Sequence, residues 1–287
     1  MLPPKKILLP VDFSERMLGA AHYARTIACH FQSELTLLHV LPLFRYEFYG
    51  MEGTPALNSL FETRFEVAKR ELDSYLTEDL SDVNVKRVVL DGDPATQIIE
   101  YARSNGTDLI VMPTAGYGPF RRFILGSVTA KVLHDAECPV LTGVHMEESL
   151  VQPIYIRRIV CAVDLGPNSR KVLSYAAKLA DNFGAKLTVM HVTPSLESRA
   201  RTFDPSWRLA LARHAEEQIA ELQKDMPTQG EIWIDDGEIP RIVAEAVKTH
   251  NADLLVIGRG EAEGVLGRLR ANAYAILRES PCPVISV

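Results

Sequence analysis

Long apolar segments are missing from this 287-residue chain. Its apolar runs are far shorter than the ~20 residues that a membrane-spanning helix needs, so no such helix is predicted. The first residues, MLPPKKILLPVDFSE, contain neither an extended apolar region nor a small-residue cleavage site, which argues against a secretory signal. We therefore expect a cytoplasmic protein that does not associate with membranes.

Cysteine and clustered positive charge are also scarce. The four cysteines, Cys29, Cys138, Cys161 and Cys282, form no C-x-x-C pair and no His/Cys cluster, so no metal site is predicted. Buried free thiols in a reducing compartment are the favoured interpretation, with a redox role as the alternative. The net charge is −6 and the basic residues are scattered, whereas a nucleic-acid binder usually carries a basic stripe. We expect no nucleic-acid partner.

The strongest feature present is an internal repeat. Four segments recur in the same order in both halves: 6–12 with 158–164, 23–40 with 175–192, 108–112 with 253–257, and 137–141 with 281–285. The chain is therefore a duplication of a whole domain, and its length suits two domains. We place the first domain at 1–145 and the second at 153–287, with a linker over 145–156.

Each half alternates short apolar strands with helical segments, and Ser14 has the pattern of an N-cap that begins the first helix. This alternation predicts an α/β class with two tandem, doubly wound, open parallel five-stranded sheets of Rossmann-like type, each with helices on both faces. The apolar fifth strands, 139–144 and 283–287, would be exposed sheet edges. We expect them to pair antiparallel, so that the two halves form a pseudo-dimer within one chain.

In an open α/β sheet, ligands bind beyond the carboxyl ends of the strands. In the first half this edge carries Asp12 after strand one and the segment PTAGYGPFRRFILGSVTAK after strand four. Glycines such as Gly116 let backbone N–H groups approach an anion, and Gly126-Ser127 begins a helix whose N-terminus attracts phosphate. Asp12 can accept a hydrogen bond from a ribose or a base, and capping of its own turn is the alternative.

These features resemble the universal stress protein family, whose fold is a doubly wound five-stranded α/β sheet. The resemblance covers both halves and is carried by the strand endings PVD and HV, the helix start DGDPATQI, and DLIVM…GS…CPV. The family's ATP-binding members share a motif of Gly, two residues, Gly, nine residues, Gly, then Ser or Thr. Gly116, Gly126 and Ser127 match its second and third glycines and the hydroxyl residue, whereas Pro113 replaces the first glycine.

By this resemblance the first domain binds ATP or a related adenine nucleotide, with which Mg²⁺ can be associated. The resemblance also implies a regulatory module of the stress response rather than an enzyme. The implied nucleotide contacts are Pro10 and Asp12 after strand one, Val40 and Met112 beside the base, and Gly116, Gly126, Ser127 and Val128 at the phosphates. Pro113 lacks a backbone donor, which affects the ribose contact more than the phosphates.

The second half departs further from the motif. Glu261 places a carboxylate where phosphate would lie, although Gly258 matches the first glycine. Gly126-Ser127 aligns with Ala271-Asn272, or with Arg270-Ala271 if a one-residue offset falls earlier. We therefore expect ATP in the first domain alone, and an anion site of another kind in the second half would need one of three arginines: Arg259, Arg268 or Arg270.

Three further points stay open from the sequence. His39 and His191 recur at strand ends, and we expect hydrogen-bonded core residues there rather than catalytic ones. A weak ATPase remains an alternative, although the chain lacks a Walker A lysine motif. A nucleotide-free interaction protein is the other alternative, and the sequence identifies neither a protein partner nor a homodimer contact.

Overall fold

The computed structural model of the chain describes residues 3–42, 55–114, 125–143, 146, 153–194, 205–259 and 271–287. The first half contains β1 (Lys6–Val11), α1 (Met17–Phe31), β2 (Glu34–Leu41), α2 (Pro55–Ser74), β3 (Asn84–Asp91), α3 (Pro94–Asn105), β4 (Leu109–Val111), α4 (Ser127–Asp135) and β5 (Val140–Thr142). The second half contains β6 (Arg158–Ala162), α5 (Ser169–Phe183), β7 (Lys186–Pro194), α6 (Pro205–Gln223), β8 (Glu231–Gly237), α7 (Ile239–Thr249), β9 (Leu254–Ile257), α8 (Ala271–Glu279) and β10 (Val284–Ser286). The predicted α/β alternation is therefore present in both halves.

The ten strands form one continuous sheet in the order β3-β2-β1-β4-β5-β10-β9-β6-β7-β8. Neighbouring strands within each half are parallel, as predicted. The central pair, β5 and β10, is antiparallel, with Thr142 opposite Val284 and Val140 opposite Ser286. The predicted pairing of the two fifth strands is thereby confirmed, and it buries two strands that would otherwise be sheet edges.

In each half, one aspartate carboxylate holds the start of the first strand, which is β1 or β6. Asp108, just before β4, accepts the backbone N–H groups of Lys5 and Lys6 at 2.9 and 3.1 Å. Asp253, just before β9, accepts the equivalent N–H groups at the start of β6 at 2.8 and 2.9 Å. Each carboxylate thus ties the first strand of its half to the fourth, which gives a structural reason for the Asp-Leu repeat.

The core lies on both faces of the sheet and crosses the boundary between the halves. Alternate residues of β1 enter different layers, with Ile7 and Leu9 on the face covered by α1 and α5, and Leu8 on the face covered by α3, α4, α7 and α8. On the first face, α1 meets α5 where the His30 imidazole stacks on Phe183 with ring centroids 4.1 Å apart. The halves are therefore joined by helix packing as well as by the strand pair.

The start of α1 differs from the prediction. The backbone N–H of Ser14 donates to Asp12 Oδ1 at 3.0 Å, while the Ser14 carbonyl accepts the N–H of Met17 at 3.0 Å. Ser14 therefore belongs to a turn, and α1 begins at Met17 with no side-chain cap. Assigning Ser14 as the N-cap was wrong because Asp and Ser favour Asx turns and helix caps alike.

All four cysteines are free, although they are not all buried as expected. Cys161 and Cys282 are buried, Cys138 is partly buried, and Cys29 on α1 is exposed, which corrects the prediction for that residue. Burial raises the pKa of Cys138 to about 11 and that of Cys161 and Cys282 to about 12. These three thiols remain protonated at neutral pH, which disfavours redox chemistry because thiolates are the reactive form.

Neither a membrane span nor a metal cluster is found in the ranges given above. No helix there is both long and apolar enough to cross a bilayer. No group of three or more His, Cys, Asp or Glu side chains there is arranged to hold a metal ion.

We predict that Thr142→Val stabilises the protein. Thr142 is fully buried in the central strand pair, and its hydroxyl has no hydrogen-bond partner among the residues that the structure describes. Replacing that hydroxyl with a methyl group removes a desolvated, unpaired polar atom, so the free energy of unfolding should rise by about 1 kcal/mol. Denaturant titration of the full chain measures this change.

The matched residue in the second half supplies the control. Ser286 lies at the equivalent position of β10, and its hydroxyl donates to the Val140 carbonyl at 3.4 Å. Ser286→Ala should therefore lower the free energy of unfolding. If Thr142→Val destabilises the protein as much as Ser286→Ala does, the Thr142 hydroxyl has a partner and this account is wrong.

Candidate functional site

A cleft of about 400 Å³ opens in the first half at the carboxyl ends of β1, β2 and β4. Its remaining walls come from the N-termini of α3 and α4. The lining residues are Pro10, Val11, Asp12, Met17, Leu38, His39, Val40, Pro42, Pro94, Ile98, Met112, Pro113, Gly126, Ser127, Val128 and Thr129. The cleft lies at the edge where a doubly wound sheet is expected to bind ligands.

The structure brings the predicted site residues together. Seven of them line this one cleft: Pro10, Asp12, Val40, Met112, Gly126, Ser127 and Val128. Gly116, the remaining one, lies outside the described residues, as do Glu261, Arg268 and Arg270 of the second half. The sequence interpretation missed the contribution of α3, although the DGDP segment shows that this helix begins at the same edge of the sheet.

Asp12 has a clear structural role in the turn after β1. Its Oδ1 accepts the N–H of Ser14, and the residue between them, Phe13, has φ 59°. Such a left-handed conformation is unfavourable for a bulky side chain and needs support from its surroundings. Ring contacts with His39 at 4.6 Å and with Tyr75 at 5.0 Å between centroids provide that support.

The same turn recurs in the second half. Asp164 Oδ1 accepts the N–H of Gly166 at 2.9 Å and the Ser169 hydroxyl at 3.1 Å, while Leu165 has φ 58°. Turn capping by these two aspartates is therefore confirmed. Since Asp12 also lines the cleft, its capping role and a ligand contact through its other carboxylate oxygen are compatible.

The two recurring histidines are hydrogen-bonded to the backbone, as expected. His39 Nδ1 lies 2.8 Å from the Val11 carbonyl, and His191 Nδ1 lies 2.8 Å from the Val163 carbonyl. Because a carbonyl can only accept, each Nδ1 carries the proton in these contacts. The histidines thus link the ends of the first and second strands of each half.

The first turn of α4 lines the cleft with backbone N–H groups that the helix itself does not pair. The Gly126 N–H donates to the Thr114 carbonyl at 2.7 Å, so this group is already used to close the loop. Ser127, Val128 and Thr129 come next in the first turn, where backbone N–H groups have no partner within a helix. With the positive end of the helix dipole, these groups form a favourable environment for an anion.

Two side-chain contacts fix this end of α4. The Thr129 hydroxyl donates to the Pro113 carbonyl at 3.0 Å, and Lys131 Nζ lies 3.2 Å from Asp93 Oδ1 at the start of α3. Hydrogen bonds from Thr96, together with Lys131, hold the pKa of Asp93 below its usual range. Pro113, which stands where the family motif has glycine, therefore still anchors the helix through its carbonyl.

An equivalent cleft of about 430 Å³ lies in the second half. It has the same position relative to its strands and is lined by Ala162, Val163, Asp164, Asn168, Ser169, Val172, Met190, His191, Val192, Ile239, Val243, Ile257, Gly258, Arg259, Asn272, Ala273 and Ile276. The two clefts are similar in size, so volume does not distinguish the halves. Any difference in ligand must come from the polar groups that line them.

The structure settles the alignment of the glycine-serine pair. Helix α4 ends at Asp135 and α8 at Glu279, each at the same distance before its Cys-Pro-Val segment, so the two segments align without a gap. Ser127 therefore corresponds to Ala271, and Gly126 to Arg270. The guanidinium of Arg259 donates to the Leu133, Ala136 and Cys138 carbonyls of the first half, which uses these donors away from a possible anion.

Comparison with known proteins gives consistent matches over both halves. The sequence model of the universal stress protein family matches residues 3–142 and 156–287. Universal stress protein MJ0531 of Methanocaldococcus jannaschii is 33% identical over 138 residues, which is 48% of this chain and 80% of that protein. Universal stress protein Rv2005c of Mycobacterium tuberculosis is 23% identical over 308 aligned positions, covering 99% of this chain and 98% of that one.

A solved structure matches over the full length. The crystal structure of a universal stress protein from Archaeoglobus fulgidus superimposes with a TM-score of 0.68 and 23% identity. The superposition covers 98% of this chain and 95% of that chain. At this level of identity, the similarity establishes the tandem fold.

We predict that Asp12→Ala destabilises the protein in the absence of any ligand. The variant leaves the Ser14 N–H without its acceptor and removes support from the left-handed Phe13, so the free energy of unfolding should fall by about 1 kcal/mol. Asp12→Asn, which keeps a side-chain oxygen at the same place, is the matched control and should lose much less. Equal stability of the Ala variant and the wild type in urea titration would contradict the capping role.

Proposed function

The chain belongs to the universal stress protein family, and we propose that it is a regulatory protein of the stress response that binds ATP in the cleft of its first half. The observation that carries this proposal is the meeting of an apolar cleft with the N-terminus of α4 at one edge of the sheet. An adenine nucleotide has the same division into a flat apolar base and a charged phosphate chain.

The wall formed by β2, β4 and α3 suits the base. Val40 and Met112 are almost fully buried at the strand ends, and Ile98 of α3 faces the same cavity. Small-molecule sites are commonly apolar with a few polar groups that fix orientation. Asp12, at the end of β1, provides such a group for a ribose hydroxyl or an adenine nitrogen.

The start of α4 suits the phosphates. The backbone N–H groups of Ser127 and Val128 and the exposed Ser127 hydroxyl lie at the cleft, and the helix dipole adds positive potential. Gly126 has no side chain to occupy the adjoining space. The φ of Gly126, −64°, is accessible to any residue, so this position does not need the conformational freedom of glycine. What matters for phosphate binding is the space left by the missing side chain.

A binding role is favoured over catalysis by the donor set of the cleft. Among the described lining residues, Asp12 is the one carboxylate, and it already caps its turn. Phosphoryl transfer to water generally needs several groups that hold magnesium and orient the nucleophile. The arrangement therefore supports retention of the nucleotide, with Mg²⁺ carried by its phosphates.

Among its described residues, the second half offers fewer groups that could bind phosphate. Ala271 stands where Ser127 provides a hydroxyl, and the guanidinium of Arg259 lies against the first half. An equally large cleft with weaker anion recognition is not expected to hold ATP. We therefore propose a single ATP for each chain, in the first half.

Gly126→Val should lower the affinity for ATP by about tenfold or more, because a branched side chain would occupy the space beside the helix N-terminus where phosphates approach. Isothermal titration calorimetry of the full chain measures the effect. The control is Ala271→Val at the start of α8, at the position that corresponds to Ser127, which should leave ATP affinity unchanged. Wild-type affinity in the Gly126 variant would show that phosphates bind elsewhere.

Calorimetry on the wild type should also give a stoichiometry near one ATP per chain. The physical reason is the difference in polar lining between two clefts of similar volume. Two sites of equal affinity would refute the asymmetry between the halves. Absence of any binding would overturn the nucleotide proposal in favour of a nucleotide-free interaction protein.

A further inference from the structure

Arg259 is a buried cation that crosses between the halves. It follows β9 in the second half and is 4% exposed. Its Nη1 donates to the Ala136 carbonyl at 2.5 Å and to the Leu133 carbonyl at 3.3 Å, and its Nη2 donates to the Cys138 carbonyl. Burying a guanidinium costs free energy unless its N–H donors are paired. The hydrogen bonds to these three carbonyls therefore fix the position of the Arg259 side chain.

The acceptors lie at the C-terminal end of α4. Leu133 is in the last turn of that helix, and Ala136 is its C-cap. Carbonyls at this position have no partner within the helix, and they carry the negative end of the helix dipole. Arg259 therefore caps α4 from the opposite half with both hydrogen bonds and charge.

The antiparallel pairing of β5 with β10 explains how this contact arises. It places the carboxyl edge of the second half beside the amino edge of the first, so the end of β9 meets the end of α4. The opposite end of α4 carries Ser127 and Val128 at the ATP cleft. A nine-residue helix, about 13 Å long, thus connects Arg259 to the proposed phosphate site.

The described residues show no reciprocal arginine contact. Thr114, which corresponds to Arg259 in the first half, is a neutral residue at the end of β4. The Cys282 carbonyl, which corresponds to the Cys138 carbonyl, instead accepts a local hydrogen bond from the Ser280 hydroxyl at 2.7 Å. The cationic cap is found on the helix of the half that is proposed to bind ATP.

We propose that Arg259 is a positioning residue for the nucleotide site of the first half. It holds α4 from the end distant from the ligand, so that the N–H groups of Ser127 and Val128 point at the phosphates. The second half thereby serves the site of the first. This inference rests on the proposed binding of ATP. Arg259 should affect the affinity for the phosphates alone, because in that proposal the base and ribose face β1, β2 and β4.

The experiment uses the full chain and compares ATP with adenosine by calorimetry, with direct titration or competition as affinity requires. Arg259→Met keeps an unbranched apolar side chain but removes the charge and donors. It should lower ATP affinity by about tenfold while adenosine affinity stays unchanged, since a charged cap in a partly buried helix end has an effect of that order. Arg259→Lys, which retains the charge, should recover part of the ATP affinity.

Two further measurements separate positioning from general stability. Hydrogen exchange should accelerate at the amides of α4 in Arg259→Met, and circular dichroism should report an intact fold. The control is Arg278→Met, which removes an exposed arginine that pairs with Glu279 on α8 and should leave both affinities unchanged. If Arg259→Met does not fold, Arg259→Lys provides the test. This variant should show a smaller loss of ATP affinity and no loss of adenosine affinity.

The outcomes are distinct. Equal losses for ATP and adenosine, or no loss for ATP, would overturn the positioning role and leave the nucleotide site intact. Failure of the wild type to bind ATP would instead overturn the proposed function, and the nucleotide role of Arg259 with it. Selective loss for ATP, with faster exchange in α4, supports the proposal.

Discussion

The antiparallel pairing of β5 with β10 is the contact on which the arrangement of the whole molecule depends. Three residue pairs, from Val284 opposite Thr142 to Ser286 opposite Val140, join two parallel sheets into one. The pairing removes two apolar edges and extends the core across both faces. It also fixes the relative direction of the halves, which puts the end of β9 beside the end of α4.

Much of what the two halves share has a structural explanation. The aspartates before β4 and β9 hold the start of the first strand, and Asp12 and Asp164 cap equivalent turns. The paired histidines link strand ends through backbone carbonyls. Repeated polar residues in a duplicated fold therefore include many that maintain the fold, even where they line a cleft.

The proposed function depends on the differences between the halves. The two clefts have similar volumes, but different helices begin beside them. Helix α4 at the first cleft starts with Gly126-Ser127, whereas α8 at the second cleft has Ala271 at the position of the serine. Arg259 adds a second difference, because its charge leaves its own half to cap the helix of the other. Under the proposed function, the second half would support the nucleotide site of the first rather than bind ATP itself.

The sequence by itself determined the duplication, the order of strands and helices, the pairing of the fifth strands and seven of the sixteen residues that line the first cleft. These features were accessible because strands buried on both faces form apolar runs, and because their carboxyl ends necessarily meet at one edge. The tertiary structure decided that Ser14 belongs to a turn and that Arg270-Ala271 replaces Gly126-Ser127. It alone revealed that Arg259 caps α4 of the other half, because a hydrogen bond between residues more than a hundred positions apart leaves no local pattern in the sequence.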